Sequence, residues 1–460
     1  MSLENVISSL QPRLVLGGEN IMVNSNAITK IQTIVLMSVI IVAAVGGGAA
    51  YVMLGGEEQT SETIKIGVLA DLDGAGGKHV WQGAKLAAEQ INAEGGILGK
   101  QIEVIGEDHD LESGVDLVKV NTALTRLLTY HKVDFVIGNA GGEAGFIVQD
   151  VIAEHKKIFL ATSGMNDQLT QRVLDDYDKY KYYFQIQWNA SGVFQGMTDS
   201  LLLMREQTGF NKVGYLAEDL GYAQGIMDGL DYVLPEVYGF DLVYKGTFPL
   251  GTVDFSSYFA AAEAAGVEVL LPLIALDGGI PFVKEWYDRQ SPMLIYGGVL
   301  EGATVPESWE WTEGKCENII TAAFPMIAQY PITSKTIPIR EAYISRWKEN
   351  PKNGATFAFD LLRYILADAI ERAGTIDTEE VIESLETTSI ETSMASNYVF
   401  TSSHCAIMGE NMLDPDEDYM LVLLFQWQNG KQLPVYPKKI MEQAGVTLTY
   451  PPWAGPWDDQ

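Results

Sequence analysis

The residues whose types could hold a metal ion stand together at 107–110, with the sequence Glu-Asp-His-Asp. Carboxylate oxygens are the ligands that hard cations prefer. Four consecutive residues point in different directions, however, so only one or two of them can reach the same ion. We therefore interpret this run as a solvated loop after a strand, and we expect no metal site.

A second run, Gly74-Ala75-Gly76-Gly77, follows a β-branched segment as a phosphate-binding loop would. It lacks the Lys-Ser/Thr ending and the three-glycine spacing of such loops. The sequence also has no nucleophile elbow, no HExxH zinc motif and no dinucleotide fingerprint, and each absence removes a catalytic class. We therefore predict no cofactor and no enzymatic activity, with an exported hydrolase as the least favoured alternative.

The chain has 460 residues and is strongly acidic, with 30 Lys and Arg residues against 61 Asp and Glu residues. A formal charge of −31 repels phosphate backbones, and no basic patch offsets it, so we expect no nucleic-acid partner. A hydrophobic fraction of 47% is sufficient for buried cores, and the length indicates two or three packed domains.

One uncharged apolar stretch, residues 34–54, is long enough to cross a membrane. As a helix its 21 residues reach roughly 32 Å, close to the hydrocarbon thickness of about 30 Å. Arg13 and Lys30 precede it and acidic residues follow it, which places the C-terminal bulk outside the cytoplasm. We predict a leader at 1–33, a single-pass membrane anchor at 34–54 and a linker at 55–63.

A cleaved secretory signal is the alternative to an anchor, because Gly48-Ala49-Ala50 offers small residues where a peptidase could cut. An anchor is favoured, since the stretch is longer than the apolar part of a usual signal, about 7–15 residues. The polar leader MVNSNAITK, residues 22–30, followed by this apolar stretch, resembles the pilin-like signal segments of some archaeal surface proteins.

Beyond the linker, short β-branched runs alternate with segments of helical periodicity. The first such helix places Trp81, Ala84, Ala88 and Ile91 on one face and ends at Gly95-Gly96. Strands separated by helices pair in parallel through right-handed crossovers, so we predict an α/β fold with two doubly wound parallel-sheet lobes. Buried strands are expected at 64–69, 102–105, 135–138, 158–161, 212–216, 267–274 and 293–296.

The loops that follow the predicted strands are the expected binding surface, because ligands of open parallel sheets bind outside the carboxyl ends of the strands. We expect six such loops, from two lobes, to face each other across a cleft. They are 70–79, 139–143, 162–167, 217–222, 274–279 and 297–303.

Two features outside this pattern also carry predictions. The chain closes with two apolar runs around Asn429-Gly430, a strong signal of a β-hairpin. Cys316 and Cys405 both fall in segments that we assign to the second lobe. A disulfide between them is expected of an extracytoplasmic domain, and two unpaired buried thiols are the alternative.

Residues 64–110 resemble the opening of the branched-chain amino-acid-binding proteins, the type I periplasmic solute-binding components of ABC importers. They read IKIGVLADLDGAGGKHVWQGAKLAAEQINAEGGILGKQIEVIGEDHD. The most specific part is the helix end at 91–97 followed by Gly99. Further matches lie at 161–164, 221–225 and 254–256, and the likeness extends to the C-terminal hairpin.

This resemblance implies two lobes joined by three hinge crossings, near 184–187, 321–325 and 397–400. The first lobe would then comprise 64–185 with 324–398, and the second lobe 186–323 with 399–460.

The resemblance also implies a set of ligand contacts. In the family, backbone amides and a hydroxyl group from two first-lobe loops hold the ligand carboxylate, and these loops correspond to Ala140-Gly141-Gly142 and Ser163-Gly164-Met165. From the second lobe a tyrosine, here Tyr222, closes over the ligand. An acid pairs with the ligand ammonium group, and Glu301 and Asp277 are the candidates.

Two positions depart from the family pattern. Gly142 and Met165 stand where a serine and a threonine usually donate hydrogen bonds, although Ser163 can still supply one donor. The absence of these two hydroxyl groups weakens the case for an ordinary aliphatic α-amino acid as the ligand. Amides, urea-like solutes, short carboxylates and peptides remain open as ligand classes. Trp81, in the helix after the first strand, completes the predicted ligand contacts.

We therefore predict a membrane-tethered, extracytoplasmic solute-binding protein. It would capture a small polar ligand, such as an amino acid or an amide, and present it to the permease subunits of an ABC importer. The alternative is the ligand-sensing ectodomain of a receptor. The roughly 30 residues before the apolar stretch are too few to form a cytoplasmic output domain, which favours transport.

Overall fold

The structure is a computed structural model, and the predicted leader and the predicted span at 34–54 lie outside the residues that it describes. In the described part of the chain, no helix is long and apolar enough to cross a membrane. The described residues are 63–74, 76–110, 116–139, 142–164, 166–187, 190–275, 278–297, 299–322, 329–407, 419–420 and 423–455.

Five short apolar strands form the first sheet, and all of them pair in parallel. β1 runs in register with β2 along its whole length, from Ile64 opposite Ile102 to Ala70 opposite Asp108. Only Lys65 interrupts the burial of β1, so helices must cover both faces of the sheet. The strands are β1 Ile64–Ala70, β2 Ile102–Asp108, β3 Phe135–Gly138, β4 Phe159–Ala161 and β5 Tyr183–Gln185, in the order β2-β1-β3-β4-β5.

Short polar side chains cap the starts of two of the helices between these strands. Asp116 accepts hydrogen bonds from the backbone amides of Val118 and Lys119, and Asn166 accepts one from that of Gln168. Such caps satisfy amides that have no partner within the helix. The helices are α1 Gly77–Ala93, α2 Leu117–Thr129, α3 Gly142–His155, α4 Asp167–Asp175 and α5 Tyr177–Tyr180.

A second, larger sheet follows, parallel from β6 to β11 and antiparallel at its end. Its strands are β6 Lys212–Glu218, β7 Asp241–Phe248, β8 Val269–Ile274, β9 Leu294–Gly297, β10 Val299–Leu300, β11 Ile320–Ala322, β12 Leu424–Gln428 and β13 Lys431–Tyr436, in the order β13-β12-β11-β9-β8-β6-β7, with β10 beside β8. Its helices are α6 Ala190–Thr208, α7 Gly221–Tyr232, α8 Ser256–Ala264, α9 Gly279–Arg289, α10 Glu301–Thr304 and α11 Ser308–Trp311, with a π-helical turn, Val233–Val237, after α7. The α/β architecture with parallel sheets is the one that the sequence predicts.

The predicted hairpin is confirmed as β12 and β13. Asn429 and Gly430 adopt φ values of 53° and 76°, the two positive values that a type I′ turn requires. Glu317 accepts a hydrogen bond from the backbone amide of Asn429 at 2.8 Å.

After β11 the chain returns to the first sheet and adds a helical layer to it. α13, which is Asn353–Asp360, packs closely on α1. A Cβ atom added at Gly83 of α1 would lie 2.3 Å from the carbonyl oxygen of Ala355, so this contact requires glycine. The remaining helices are α12 Thr336–Trp347, α13 Asn353–Asp360, α14 Ala367–Ala373, α15 Thr378–Glu386 and α16 Lys438–Ala444, with a π-helical turn, Leu361–Leu366, between α13 and α14.

The segment that the sequence assigns to the third crossing, 397–400, remains attached to the first sheet. Cys405 forms a parallel bridge with Gln185 of β5, and the hydroxyl group of Tyr398 donates to the carbonyl oxygen of Ile186 at 2.8 Å. The ring of Phe400 packs against Phe184. Aromatic packing and backbone pairing therefore hold the chain on the first sheet as far as residue 406.

The two cysteines are free and buried, so the predicted disulfide is not formed in this structure. Cys405 pairs with β5 in the first sheet, whereas Cys316 lies in the apolar cluster of the second sheet with Trp286 and Trp427. The prediction placed both residues in one lobe because it ended the first sheet too early. Burial raises the pKa of the Cys316 thiol to about 12, which keeps it protonated.

Asp360, the last residue of α13, is a fully buried carboxyl group. Its Oδ2 atom accepts hydrogen bonds from the backbone amide and the hydroxyl group of Ser393, at 2.9 and 2.7 Å. Its Oδ1 atom has no partner among the described residues. Burial raises the pKa of Asp360 to about 7, against the opposing effects of the Ser393 hydrogen bonds and of Lys335.

We expect Asp360→Asn to stabilise the protein above pH 7 relative to the unchanged chain. The folded state holds the Asp360 proton up to about pH 7, whereas the unfolded chain releases it near pH 4. The unchanged protein therefore loses stability as the pH rises between these values, by roughly 1.4 kcal/mol per pH unit at most. The neutral amide has no such dependence. Thermal unfolding of both proteins from pH 4 to 8 measures the difference, and a difference that stays constant with pH would contradict the raised pKa.

Candidate ligand-binding site

Polar side chains gather where β3 and β4 end in the first sheet. The hydroxyl group of Ser163 donates a hydrogen bond to Oδ1 of Asn139, which joins the two loops that follow these strands. The backbone amide and the hydroxyl group of Thr162 both donate to the carbonyl oxygen of Gly138, at 2.8 and 3.1 Å. Ser163 is half-buried, so its oxygen remains within reach of a small molecule at this edge.

Gly164 holds the Ser163 loop close to β5. Its φ of 130° lies in a region that side chains rarely adopt. A side chain there would also lie 2.7 Å from the hydroxyl oxygen of Tyr183 and 2.9 Å from Oε1 of Gln185. The backbone of this predicted ligand loop therefore has one position that only glycine fits.

The other predicted loop of the first sheet is described only in part. Gly142 begins α3 with a φ of 56°, and the space beside its Cα atom is open. Ala140, Gly141 and Met165 lie outside the described residues. The structure thus brings Ser163 and Gly164 to the carboxyl edge of the sheet, with Gly142 at the start of the helix that follows the neighbouring strand.

At the second sheet, Glu218 connects two loops that follow strands. It is the last residue of β6, it is buried, and its Oε2 atom accepts a hydrogen bond from the backbone amide of Ala275 at 3.0 Å. Glu218 is not among the predicted site residues, although an acid at the end of a buried apolar strand is a signal that the sequence contains. The predicted Asp277 and the side chain of Tyr222 lie outside the described part of the chain.

Glu301 is an accessible acid at this edge, and it begins α10 directly after β10. Enough protein surrounds its carboxyl group that burial raises its pKa, while Lys352 opposes that shift. Among the described residues none donates a hydrogen bond to it. A carboxylate that is partly desolvated, open to solvent and without a partner is suited to a positively charged ligand group.

Trp81, by contrast, has a packing position in the structure. Its ring lies 5.8 Å from that of Trp347 and close to Gly106 of β2, and the ammonium group of Lys85 lies 5.7 Å from its centre. These contacts fix α1 against α12, and none of them supports the predicted ligand role.

The residues first considered for a metal ion have separate partners. Oε1 of Glu107 accepts a hydrogen bond from His131 at 2.8 Å and forms an ion pair with Arg126 at 3.2 Å. Nε2 of the buried His109 lies 2.9 Å from the carbonyl oxygen of Asn139. Glu107 and Asp108 belong to β2 rather than to a loop, which corrects the sequence interpretation. Within the described ranges no group of three or more histidine, cysteine and acidic residues could hold a metal ion.

Residues 63–413 match the sequence model of a family described as periplasmic binding protein. The chain belongs to the periplasmic binding protein family. This match spans the first sheet, the parallel strands of the second sheet and the helices that return to the first one, and it ends before the C-terminal hairpin.

Several known proteins are similar to this chain along most of its length. Leu/Ile/Val-binding protein homolog 7 of Brucella suis is 21% identical over 398 residues, covering 84% of this chain and 94% of the relative. A crystal structure of a putative branched-chain amino acid ABC transporter protein from Silicibacter pomeroyi has a TM-score of 0.74 at 19% identity, covering 85% of this chain and all of that one.

A third relative carries a ligand. The substrate-binding protein LivJ of Streptococcus pneumoniae, solved in complex with isoleucine, has a TM-score of 0.64 at 22% identity and covers 82% of this chain and all of that one. The chain is thus a periplasmic binding protein that is similar in sequence to Leu/Ile/Val-binding protein homologues and similar in fold to branched-chain amino acid transporter proteins.

We expect Gly164→Ala to lower the free energy of unfolding by at least about 2 kcal/mol, because the added methyl group meets Tyr183 and Gln185 at an unfavourable φ. Gly142→Ala is the matched control. It also has a positive φ but an open surrounding, and should cost only about 1 kcal/mol. Urea unfolding of the two variants measures the difference, and equal losses would mean that the Gly164 loop is not confined by β5.

Proposed function

We propose that this protein captures a small zwitterion, an amino acid or a close analogue, between the loops at the carboxyl edges of its two sheets. The observation that carries the proposal is the pair of groups at those edges. Ser163, in the first sheet, offers a hydroxyl group beside the backbone amides of its loop. Glu301, in the second, offers an accessible carboxylate that no described residue pairs.

These two groups suit opposite ends of the same molecule. A ligand carboxylate would accept hydrogen bonds from the loop amides and from the hydroxyl group of Ser163, which would turn from Asn139 to the ligand. The carboxylate of Glu301 accepts only, and an ammonium or amide group donates to it. The LivJ complex with isoleucine supports the amino-acid class, while Gly142, in place of a hydroxyl donor, favours a ligand that needs fewer hydrogen bonds at its carboxylate end.

Capture would proceed by closure of two lobes about the crossings between the sheets. A ligand that touches both sheets at once lowers the free energy of the closed arrangement alone, and the population shifts toward it. No bond is made or broken. The closed shape would then be recognised by the permease subunits of an ABC importer.

The cellular setting is part of the same proposal. We assign residues 34–54 as a membrane anchor and the domain beyond them as extracytoplasmic, on the length of the apolar stretch and the charges that flank it. The high acidity then describes the solvated exterior of an exported protein.

We expect Glu301→Gln to weaken binding of leucine or isoleucine roughly 10- to 100-fold, because the ion pair with the ligand ammonium group becomes a hydrogen bond to an uncharged amide oxygen. The same change should leave unchanged the affinity for 4-methylpentanoate, which is leucine without its amino group. Calorimetric titration of each ligand into refolded, ligand-free protein measures both constants.

Glu310→Gln is the matched control, since it removes one exposed negative charge from the neighbouring helix α11. It should alter neither affinity. Equal loss for the amino acid and the carboxylic acid would contradict the role of Glu301 as the ammonium partner. Absence of heat with every amino acid, amide and carboxylate tested would contradict the ligand class as a whole.

A further inference from the structure

The loop between α12 and α13, residues 348–352, is fixed firmly to the first sheet. Glu349 accepts hydrogen bonds from Lys78 at 2.8 Å and from Gln82 at 2.7 Å, both on α1. Below it, the hydroxyl group of Tyr343 donates to Oε1 of Gln82 at 2.5 Å and lies 2.6 Å from Nδ1 of the buried His79. Burial lowers the pKa of His79 to about 4, so this ring is neutral and its Nδ1–H donates to Tyr343. The loop therefore moves with the first sheet.

α10 and the residues that follow it are attached to the second sheet by side-chain hydrogen bonds. The indole nitrogen of Trp427 donates to the carbonyl oxygen of Ala303 at 2.7 Å, and the side-chain amide of Gln432 donates to that of Thr304 at 2.7 Å. Both donors lie on the C-terminal hairpin. Glu307, three residues further on, therefore moves with the second sheet.

A single side-chain hydrogen bond joins these two segments. Nδ2 of Asn350 donates to Oε1 of Glu307 at 2.7 Å. On its other side, Oδ1 of Asn350 accepts a hydrogen bond from Nη2 of Arg340 at 2.9 Å. Because arginine only donates and an ionised carboxylate only accepts, the two partners fix the orientation of the amide, and its NH₂ group points toward the second sheet.

This contact lies on the ligand side of both sheets. The Asn350 loop rests on the beginning of α1, which follows the carboxyl end of β1, and Glu307 follows Glu301 beyond β10. Electrostatic coupling between Lys352 and Glu301 places the same two segments opposite each other. Opening of the two sheets on this side would separate Asn350 from Glu307 while leaving Arg340 with Asn350.

We propose that Arg340, Asn350 and Glu307 form a latch across the rim of the cleft, which sets how much of the protein is closed before any ligand binds. The latch rests on the proposed hinge closure. It makes Asn350 and Glu307 positioning residues, because they change affinity without touching the ligand. The apparent dissociation constant varies inversely with the binding-competent fraction, so a weaker latch means weaker binding at an unaltered site.

The sharpest variant is Asn350→Asp, which keeps the size of the side chain and its pairing with Arg340 but faces Glu307 with a second carboxylate. We expect it to lower the ratio of closed to open protein at least about tenfold, since it replaces a charge-assisted hydrogen bond by repulsion. Glu307→Gln keeps a weaker, neutral acceptor for Asn350 and should lower the ratio of closed to open protein by an intermediate amount. Arg346→Gln is the control, because Arg346 lies on α12 and pairs with Glu89 of α1 within the first sheet.

Pulsed electron paramagnetic resonance measures the separation of the two sheets with spin labels at Val118→Cys, in α2 beside the first sheet, and at Val253→Cys, in the loop after β7 of the second sheet. Both positions are about three-quarters exposed. In ligand-free protein the distance distribution should shift to longer values in Asn350→Asp and remain unchanged in Arg346→Gln. Identical distributions in Asn350→Asp, Glu307→Gln and the unchanged protein would overturn the latch. If Asn350→Asp does not fold, as its thermal midpoint would reveal, Glu307→Gln decides alone.

Addition of L-leucine separates this proposal from the proposed function. The latch predicts that Asn350→Asp needs about tenfold more leucine than the unchanged protein to reach the short distance. If leucine shortens the distance in neither protein, the ligand class is wrong, and the ligand-free comparison still decides the latch. Equal leucine requirements in the two proteins would overturn it.

Discussion

Parallel pairing of short, fully buried strands is the constraint on which the rest of this structure depends. A parallel strand must be followed by a crossover, and the crossover helices cover both faces of each sheet. The carboxyl ends of β1, β3 and β4 thereby meet at one edge, and those of β6, β8 and β9 at another. Ser163 and Glu301 reach their positions for this reason, although 138 residues separate them in the sequence. The position of the site therefore follows from the direction of the strands, and the side chains then determine what can bind there.

Much of the fold could be predicted from the sequence because its signals are local. The apolar runs of β1, β3 and β8 and the Asn429-Gly430 turn are each read from a few neighbouring residues. The short β5, with three residues, and the half-exposed β7 have weak local patterns and were not predicted. Their places are set by pairing with β4 and β6, which only the folded chain reveals.

Contacts between residues that are distant in sequence were the hardest to predict. Cys405 was assigned to the second lobe, whereas a backbone bridge to Gln185, 220 residues earlier, attaches it to β5. The packing of Trp81 against Trp347, on a distant helix, was not predicted, and the ligand role of Trp81 stays a prediction. Asn350 carries no motif, since its role arises from partners remote in sequence. Residues with distant partners are thus the ones that sequence patterns miss.

The central claim is that one small zwitterion occupies the edge between the two sheets. Native mass spectrometry of the protein as purified, followed by denaturation and identification of the released small molecule, tests it most directly. The account predicts one bound molecule per chain that carries both an amino or amide group and a carboxylate, and whose loss accompanies Glu301→Gln. A protein that holds no small molecule, and that gains none from a mixture of amino acids, amides and carboxylates, would contradict it.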